Sequence, residues 1–523
     1  MESFDRNTLL NTLENHEIWD LVVIGGGATG LGIAVDGANR GYKTLLVEQA
    51  DFAKGTSSRS TKLVHGGVRY LAQGDIGLVR EALKERGRLL RNAPHLTRNE
   101  SIIIPCYSLL SALKYTVGLK LYDALSGRLS FGKSMLIRRS TLNSKLPTVQ
   151  KKGLTCGVLY HDGTFDDARL ALNLAQTAVE HGATCLNYMK VTRLQKNKED
   201  KINGLVLTDQ LTGKVYNVQA SSVVNATGVF ADEILHMDNP SAKTMIRPSQ
   251  GIHLVLDRKF LNSSDGIMIP KTDDGRVLFV LPWFDKVLMG TTDTPLNAHA
   301  LEPRALESEI AFVLKTAGKY LEIAPGRSDV QSVYAGLRPL AATEDQSDKT
   351  KEISRSHKVL VAGSGLVSVI GGKWTTYRKM AEDTIGKMIQ QGLLPAAPCK
   401  TVDLPIHGAA PLGSSEDPLA GYGSDKQLLK AFMESQPDLA SPVGGYPGLL
   451  TIQVIWAVRY EMAQTVEDVL ARRTRLLFTD ARKAMELAET VAGIMAGELD
   501  KDQHWQQAQV SGFKSLAAGY LLS

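Results

Sequence analysis

Gly25, Gly27 and Gly30, spaced G-x-G-x-x-G, and the later Glu48 are residue types that together can hold a dinucleotide. Glycine at the first position permits a tight turn, at the second lets backbone amides approach a pyrophosphate, and at the third lets a helix pack on a strand. The Glu48 carboxylate can accept hydrogen bonds from an adenosine ribose and would repel a ribose phosphate, which disfavours NADP. The spacing alone is a weak signal. It gains force from its frame: residues 20–24 read as a buried parallel strand, 31–39 as the following helix, and 43–48 as a second strand. The helix N-terminus adds partial positive charge where phosphates would sit.

Helical periodicity beyond this unit marks 76–90, 166–180 (closed by Gly182) and 375–391. Strands are expected at 183–193 and 222–225, with a hairpin over 205–218 that turns at Thr212 and Gly213. Over 249–294, strand-like runs alternate with Gly, Asp and Pro turns, which predicts an antiparallel sheet. KVLVAGSG and LVSVIGGKW then return the chain to the first domain. A Pro- and Gly-rich stretch, 393–417, reads as a linker, and 451–472 and 480–498 as long helices of a small C-terminal domain.

The predicted fold is α/β. A discontinuous Rossmann-like domain (about 18–105, 155–235 and 355–392) is interleaved with an antiparallel-sheet substrate domain (about 106–154 and 236–354), and an all-helical domain follows at 418–523. Strand–glycine signals recur at Gly228 and at Gly371 and Gly372, far from the opening motif. An NAD domain more often completes in one continuous run, whereas FAD is commonly wrapped by segments from both ends of such a chain. The order therefore favours FAD.

With 523 residues, 43% hydrophobic and 22% charged, the chain has the composition of a globular protein of two or three domains. No stretch approaches the length of a membrane-spanning helix. The first twenty residues are acidic and lack an apolar core, which argues against a signal or transit peptide. Cys106, Cys156, Cys185 and Cys399 stand far apart without a C-x-x-C pair, as suits a reducing compartment; no disulfide framework and no metal are expected.

The net charge of +5 is unevenly spread: from Arg80 to Lys152 there are fifteen Lys or Arg against four Asp or Glu. Within that span, 109–133 mixes large apolar side chains with cations. It reads as an ordinary helix with a solvated basic face, as an interfacial patch for anionic lipid, or as a nucleic-acid patch, the last without any accompanying motif.

Two signatures, IGGGATGLGIAVDGANRG from Ile24 and GGKWTTYRKMA from Gly371, resemble those of the FAD-dependent, quinone-linked glycerol-3-phosphate dehydrogenases, within the D-amino-acid oxidase-like flavoproteins. TSSRSTKLVHGGVRYL, NATGVFAD, GIHLVL, LPW, GTTDT and YAGLRPL resemble further blocks of that family, and RYEMAQTVEDVLARRTRLLF its helical domain, so the likeness covers roughly 18–500. The resemblance implies bound FAD and oxidation of sn-glycerol 3-phosphate to dihydroxyacetone phosphate, with electrons passed to membrane quinone. It implies a cytoplasmic enzyme held peripherally on the inner face of the cell membrane by an anionic surface, and no nucleic-acid partner.

It also implies roles for individual residues. Thr56, Ser57 and Ser58 would meet FAD phosphates at a helix start, compatibly with a plain N-cap. His65, Gly66 and Gly67 match the loop beside the flavin ring, from which Arg69 and Tyr70 would reach substrate. Val191, Gly228, Gly371, Gly372 and Thr375 complete the cofactor set, and Lys373 would stabilise negative charge on the reduced ring. Arg338 and Arg355 match phosphate-binding positions, although Ser356 stands where relatives often have an acid. His253 is the candidate base, with Arg338, Lys373 and Arg69 beside it in the catalytic set. An oxidase that passes electrons to oxygen is the alternative; an amino-acid oxidase and a nucleic-acid-binding flavoprotein are more distant ones. The C-terminal helices could serve membrane contact, a homodimer or regulation.

Overall fold

A computed structural model describes residues 4–68, 71, 74–273, 275–342, 357–414 and 417–522. Leu21–Ile24 and Thr44–Val47 are buried at every position, as strands covered on both faces must be, and they pair in parallel with Val22 opposite Leu45. Helix Ala28–Asn39 connects them. The six-stranded sheet runs Lys358–Val361, Val367–Ile370, Val223–Asn225, Leu21–Ile24, Thr44–Val47 and Thr184–Leu186. Its pairings are parallel except for the hairpin at the 358 edge. Widely separated parts of the chain thus build one dinucleotide-type sheet, the discontinuous Rossmann-like arrangement expected. Helix Tyr377–Gln390 closes against Ala28–Asn39, so tightly that a Cβ on Gly32 would lie 2.9 Å from the Tyr377 ring.

The second sheet has ten strands. Its main path runs Thr294–Pro295, Ile246–Asp257, Lys286–Gly290, Leu278–Trp283, Gly266–Ile269, Thr97–Cys106, Cys156–Phe165 and Leu63–Val64, with Val330–Ala341 paired to Ile246–Asp257 and Met135–Arg138 to Cys156–Phe165. All pairings are antiparallel except that of Gly266–Ile269 with Thr97–Cys106. Thr97–Cys106 and Cys156–Phe165 therefore belong to the antiparallel sheet, where the expected segments 18–105 and 155–235 gave them to the dinucleotide unit. The two strands are long apolar ladder partners, and alternation alone does not say which sheet a strand joins.

The C-terminal region is helical, but 451–472 is not one helix. Thr451–Glu461 ends at Met462 in a left-handed conformation, and the chain resumes as the single wide turn Asp468–Arg473. The Asp468 carboxylate holds the re-entry by accepting the Gln464 and Thr465 amides at 2.8 and 3.0 Å. The break lets arginines turn inward. Arg472 and Arg473 both pair with buried Asp51, and Arg475 with buried Asp167. Burial alone would raise Asp51, but Arg473 and Arg472 hold it at about 2.

Helices Ala481–Leu499 and Gln503–Ala518 complete this region and share a core with Val255, Trp283, Leu288 and Tyr334 of the large sheet. The start of the expected linker is tied to the first domain: Tyr42 Oη donates to the Pro395 carbonyl at 2.5 Å and Arg40 to that of Ala397 at 2.7 Å. All four cysteines are free, and no helix among the described residues is long and apolar enough to cross a membrane.

Candidate functional site

The strand Leu21–Ile24 delivers the chain into Gly25, which takes φ +113° and donates its N–H to the Val47 carbonyl at 2.8 Å. Only glycine fits there, since a Cβ would stand 2.7 Å from the Ala226 carbonyl oxygen. Gly30 is more constrained still, because its Cβ would fall 1.9 Å from the Gly25 carbonyl oxygen. Gly27 caps helix Ala28–Asn39, and its Cβ would approach Ser57 Oγ to 3.0 Å. Glu48 accepts the Gly26 N–H at 2.7 Å and the Ala50 N–H at 2.9 Å, so its carboxylate braces the turn. Burial raises it, and each oxygen keeps a second lone pair that a ribose hydroxyl can use.

A cavity of about 490 Å³ opens at this turn. Gly25, Gly27, Glu48, Thr56, Ser57, Val191, Gly228, Gly371, Gly372 and Lys373, ten of the residues expected at a cofactor, all line it. Gly30, Ser58, His65, Gly66, Gly67 and Thr375 are not in its wall. Gly30 acts through the helix–turn contact, and Ser58 is buried beneath, its carbonyl accepting from Lys62 and Arg475. Thr56–Ser58 is a single 3-10 turn and not the start of a helix; Thr56 Oγ1 donates to the Leu337 carbonyl, and Ser57 Oγ accepts the Ala28 N–H.

The loop at His65 is tied to the segment after Gly372. The His65 N–H donates to Thr375 Oγ1 at 3.2 Å, and Gly66 N–H to Tyr122 Oη at 2.7 Å. Tyr122 in turn donates to Asp162, which Arg86 neutralises. A turn without side chains that block it, a carboxylate at its edge and small or hydroxyl-bearing walls fit an FAD adenosine and pyrophosphate.

The large sheet brings a second group to the same border. In the pairing of Ile246–Asp257 with Val330–Ala341, Ser249, Gly251 and His253 stand opposite Arg338, Gly336 and Tyr334. Spaced by two, all six share one sheet face. The central glycines let neighbours close directly on the sheet: a Cβ on Gly251 would meet Arg338 Nη2 at 2.4 Å and Thr291 Oγ1 at 2.5 Å, and one on Gly336 the Arg59 carbonyl oxygen at 2.9 Å. Leu337 and Pro339, either side of Arg338, meet the cofactor cavity, one through its carbonyl on Thr56 and the other as a lining residue.

Arg338 is engaged, not lone: it donates to Thr291 Oγ1 at 3.1 Å, Asp293 Oδ1 at 3.2 Å and the Gln250 carbonyl at 3.3 Å. His253 is buried, stacked on Tyr334 at 4.9 Å, and bonded through Nε2 to Thr61 Oγ1 at 2.9 Å. Its Nδ1 is buried with no hydrogen-bond partner among the described residues, an orphan that a ligand hydroxyl could satisfy. Burial, then the positive charge of Lys62 and Arg338, holds this imidazole well below its usual range, so it is neutral and basic in form. Arg69, Tyr70 and Arg355 lie outside the described residues.

Sequence reasoning passed over Thr61, Tyr334 and the buried cluster of Lys62, Asp167 and Arg475. Lys62 Nζ donates to the Ser58 carbonyl and to Asp167, each at 2.7 Å, and Arg475 donates to Asp167 at 3.1 Å. TSSRSTKLVHGG contains Thr61 and Lys62, but the partners that make them informative are contributed from far along the chain.

Residues 20–378 match the family described as FAD dependent oxidoreductase, and residues 367–508 the C-terminal domain of alpha-glycerophosphate oxidase. The chain is 36% identical to the mitochondrial glycerol-3-phosphate dehydrogenase of Schizosaccharomyces pombe, over 99% of this chain and 89% of that one. To the mitochondrial glycerol-3-phosphate dehydrogenase of Homo sapiens it is 38% identical, over 97% and 74%. The solved glycerol-3-phosphate dehydrogenase from Bacillus halodurans, complexed with FAD, aligns at TM-score 0.82 and 30% identity, covering 99% of this chain and 98% of that one. The FAD-bound L-alpha-glycerophosphate oxidase of Mycoplasma pneumoniae aligns at TM-score 0.57 and 15% identity over 74% of this chain and 97% of that one, a likeness of fold.

Proposed function

The chain belongs to the FAD-dependent glycerol-3-phosphate dehydrogenase family, and its cofactor is FAD; from that premise we propose that it oxidises sn-glycerol 3-phosphate to dihydroxyacetone phosphate and passes the electrons to membrane quinone. The observation that carries this reading is the shared sheet face on which neutral His253 and cationic Arg338 flank two glycines, on a strand whose Pro339, next to Arg338, lines the cofactor cavity. Arg338 offers a planar fork to the phosphate dianion, and Gly251 lets its guanidinium lie down on the sheet where a side chain would have pushed it away. His253 Nδ1 takes the proton of the secondary hydroxyl as the carbon gives up its hydride. Lys373 supplies positive charge in the cavity wall as negative charge develops there. Bound FAD supplies the hydride acceptor and the route by which two electrons leave. Buried His253 can act only on a group that enters this pocket, which excludes bulk water as its proton source.

Helix Leu109–Ser126 supports the membrane part of the reading. Leu109, Leu110, Leu113, Val117 and Leu121 form one solvent-facing apolar stripe, Leu110 being 80% exposed. Met135 and Leu136 are exposed on the neighbouring strand, and Lys114, Lys120, Lys133, Arg138 and Arg139 are exposed around them. Apolar side chains entering the headgroup layer with cations on anionic lipid are what such a surface fits.

The test is anaerobic titration of the yellow protein with sn-glycerol 3-phosphate, glycerol and other phosphorylated polyols. Glycerol 3-phosphate should bleach the flavin at the lowest concentration, and the reduced protein should be reoxidised by a quinone faster than by air. No bleaching by this substrate would end the reading. Fast reoxidation by oxygen with stoichiometric peroxide would replace the quinone part with an oxidase.

A further inference from the structure

Behind His253 lies a buried charged cluster that the reaction as described does not use. Thr61 and Lys62 are consecutive, yet each reaches a different partner: Thr61 bonds His253 Nε2, while Lys62 turns away to Asp167 and the Ser58 carbonyl. Lys62 takes a left-handed conformation, φ 62°, which is how neighbouring side chains diverge so sharply. Its ammonium lies 5.2 Å from the Tyr334 ring centroid, 5.3 Å from that of Trp283 and 5.8 Å from that of Phe478. His253 stacks on the same Tyr334 ring. Asp167 is shared by Lys62 and Arg475, and Asp166 lies 3.9 Å from Arg475 Nε, while the ammonium of Lys62 is the charge set against Tyr334.

We infer that Thr61 and Lys62 are positioning residues for His253: the buried ammonium keeps the imidazole neutral, and the threonine hydroxyl, accepting from Nε2–H, leaves the lone pair on Nδ1. This deepens the reading above and rests on His253 as the base. Positive potential beside an imidazole opposes its protonation, and burial removes the water that would screen the effect. The acceptor role of Thr61 fixes the tautomer, since a hydrogen bond at one ring nitrogen decides which nitrogen is basic.

The charged groups around the pair come from several elements. Lys62 and Arg338 act on His253; Arg475, Asp167 and Asp166 act on Lys62; and Asp167, Arg475 and Arg59 act on the intervening Tyr334. Burial, with Arg475 beside it, brings Lys62 down to about 7. Below that pH Lys62 is charged, so its repulsion is in force where the imidazole would otherwise take up a proton.

The holoenzyme, labelled with 15N-histidine, tests this by NMR alongside the pH profile of kcat/KM. In the wild type, His253 should remain the neutral Nε2–H tautomer through the pH range in which a free imidazole takes up its proton. In Lys62→Met, both its NMR midpoint and the acid limb of kcat/KM should move up by about one pH unit, because loss of the neighbouring cation eases protonation. Asp167 keeps Arg475 and Ser60 as partners in that variant, and flavin absorbance reports whether the cofactor stays bound. Thr61→Val should give a mixture of tautomers and lower kcat at least tenfold, with Thr61→Ser restoring both.

His253→Asn separates the two readings. An acid limb that persists in it removes His253 as the base. A limb lost in His253→Asn but unmoved, with its NMR midpoint, in flavin-loaded Lys62→Met overturns the positioning role. Should Lys62→Met fail to hold flavin, a wild-type His253 that titrates near 6.5 overturns it equally.

Discussion

Arg338→Ala is the sharpest perturbation of the substrate side. The guanidinium's hydrogen bonds to Thr291, Asp293 and the Gln250 carbonyl, at 3.1 to 3.3 Å, are long for a charged donor, and about a fifth of the side chain is exposed. A desolvated arginine–phosphate pair is worth 2–5 kcal/mol when one partner is truncated. Asp293 already takes part of the arginine's charge, which points to the lower half of that range. A loss of about 2–3.5 kcal/mol corresponds to a fall of roughly 30- to 300-fold in kcat/KM.

Part of that loss has a different origin. Truncation takes the Arg338 cation away from the buried Asp293 carboxylate, whose negative charge then faces the incoming phosphate. Arg338→Ala with Asp293→Asn should therefore recover about tenfold of the loss, by removing the repulsion. Dye-coupled rates with sn-glycerol 3-phosphate and with glycerol measure both effects. The phosphorylated substrate should suffer at least ten times more than glycerol. A loss within about threefold, or equal losses on the two substrates, would refute phosphate binding at Arg338.

Gly30→Ala should yield protein without flavin, because its Cβ meets a backbone carbonyl that cannot rotate away; absorbance at the flavin bands checks it. His407, bonded to Asp425 at 2.8 Å and Glu180 at 2.5 Å, should make stability pH-dependent. Burial would lower it, but the two carboxylates raise it to about 9 from 6.5. The folded state thus holds this proton more tightly than the unfolded one, a contribution fully present below pH 6.5 and lost as pH rises through about 9. Its size is at most about 3 kcal/mol, reduced by screening at half-exposed Glu180, and His407→Gln should flatten the urea midpoint over that window. Leu110→Glu with Leu113→Glu should abolish sedimentation with anionic vesicles while dye-coupled turnover in solution holds; vesicle binding unchanged from wild type would remove the stripe from any lipid contact.

What could be read from the chain divides by distance along it. The βαβ opening was legible because Gly25, Gly27, Gly30 and Glu48 lie within one local unit whose backbone geometry demands them. So were the helix capped by Asp166 and the strands around Gly228 and Gly371, each with its own turn chemistry. The sheet to which Thr97–Cys106 belongs was not, since its partners are chosen by tertiary packing. The broken helix at Met462 was missed because its apolar periodicity continues through the break; what ends it is the pull of buried carboxylates hundreds of residues earlier. His253 and Arg338 were named from family likeness, but their common face is a property of register, which neither segment discloses alone.

Asp51 follows directly on the first two strands, yet the cations that neutralise it arrive only with Arg472 and Arg473. A ribosome that has not yet reached residue 472 has therefore produced a coenzyme cradle whose foundation still carries an uncompensated acid. Capture of the nucleotide is tied to the arrival of that arginine pair, and truncation before it should cost coenzyme retention before it costs secondary structure.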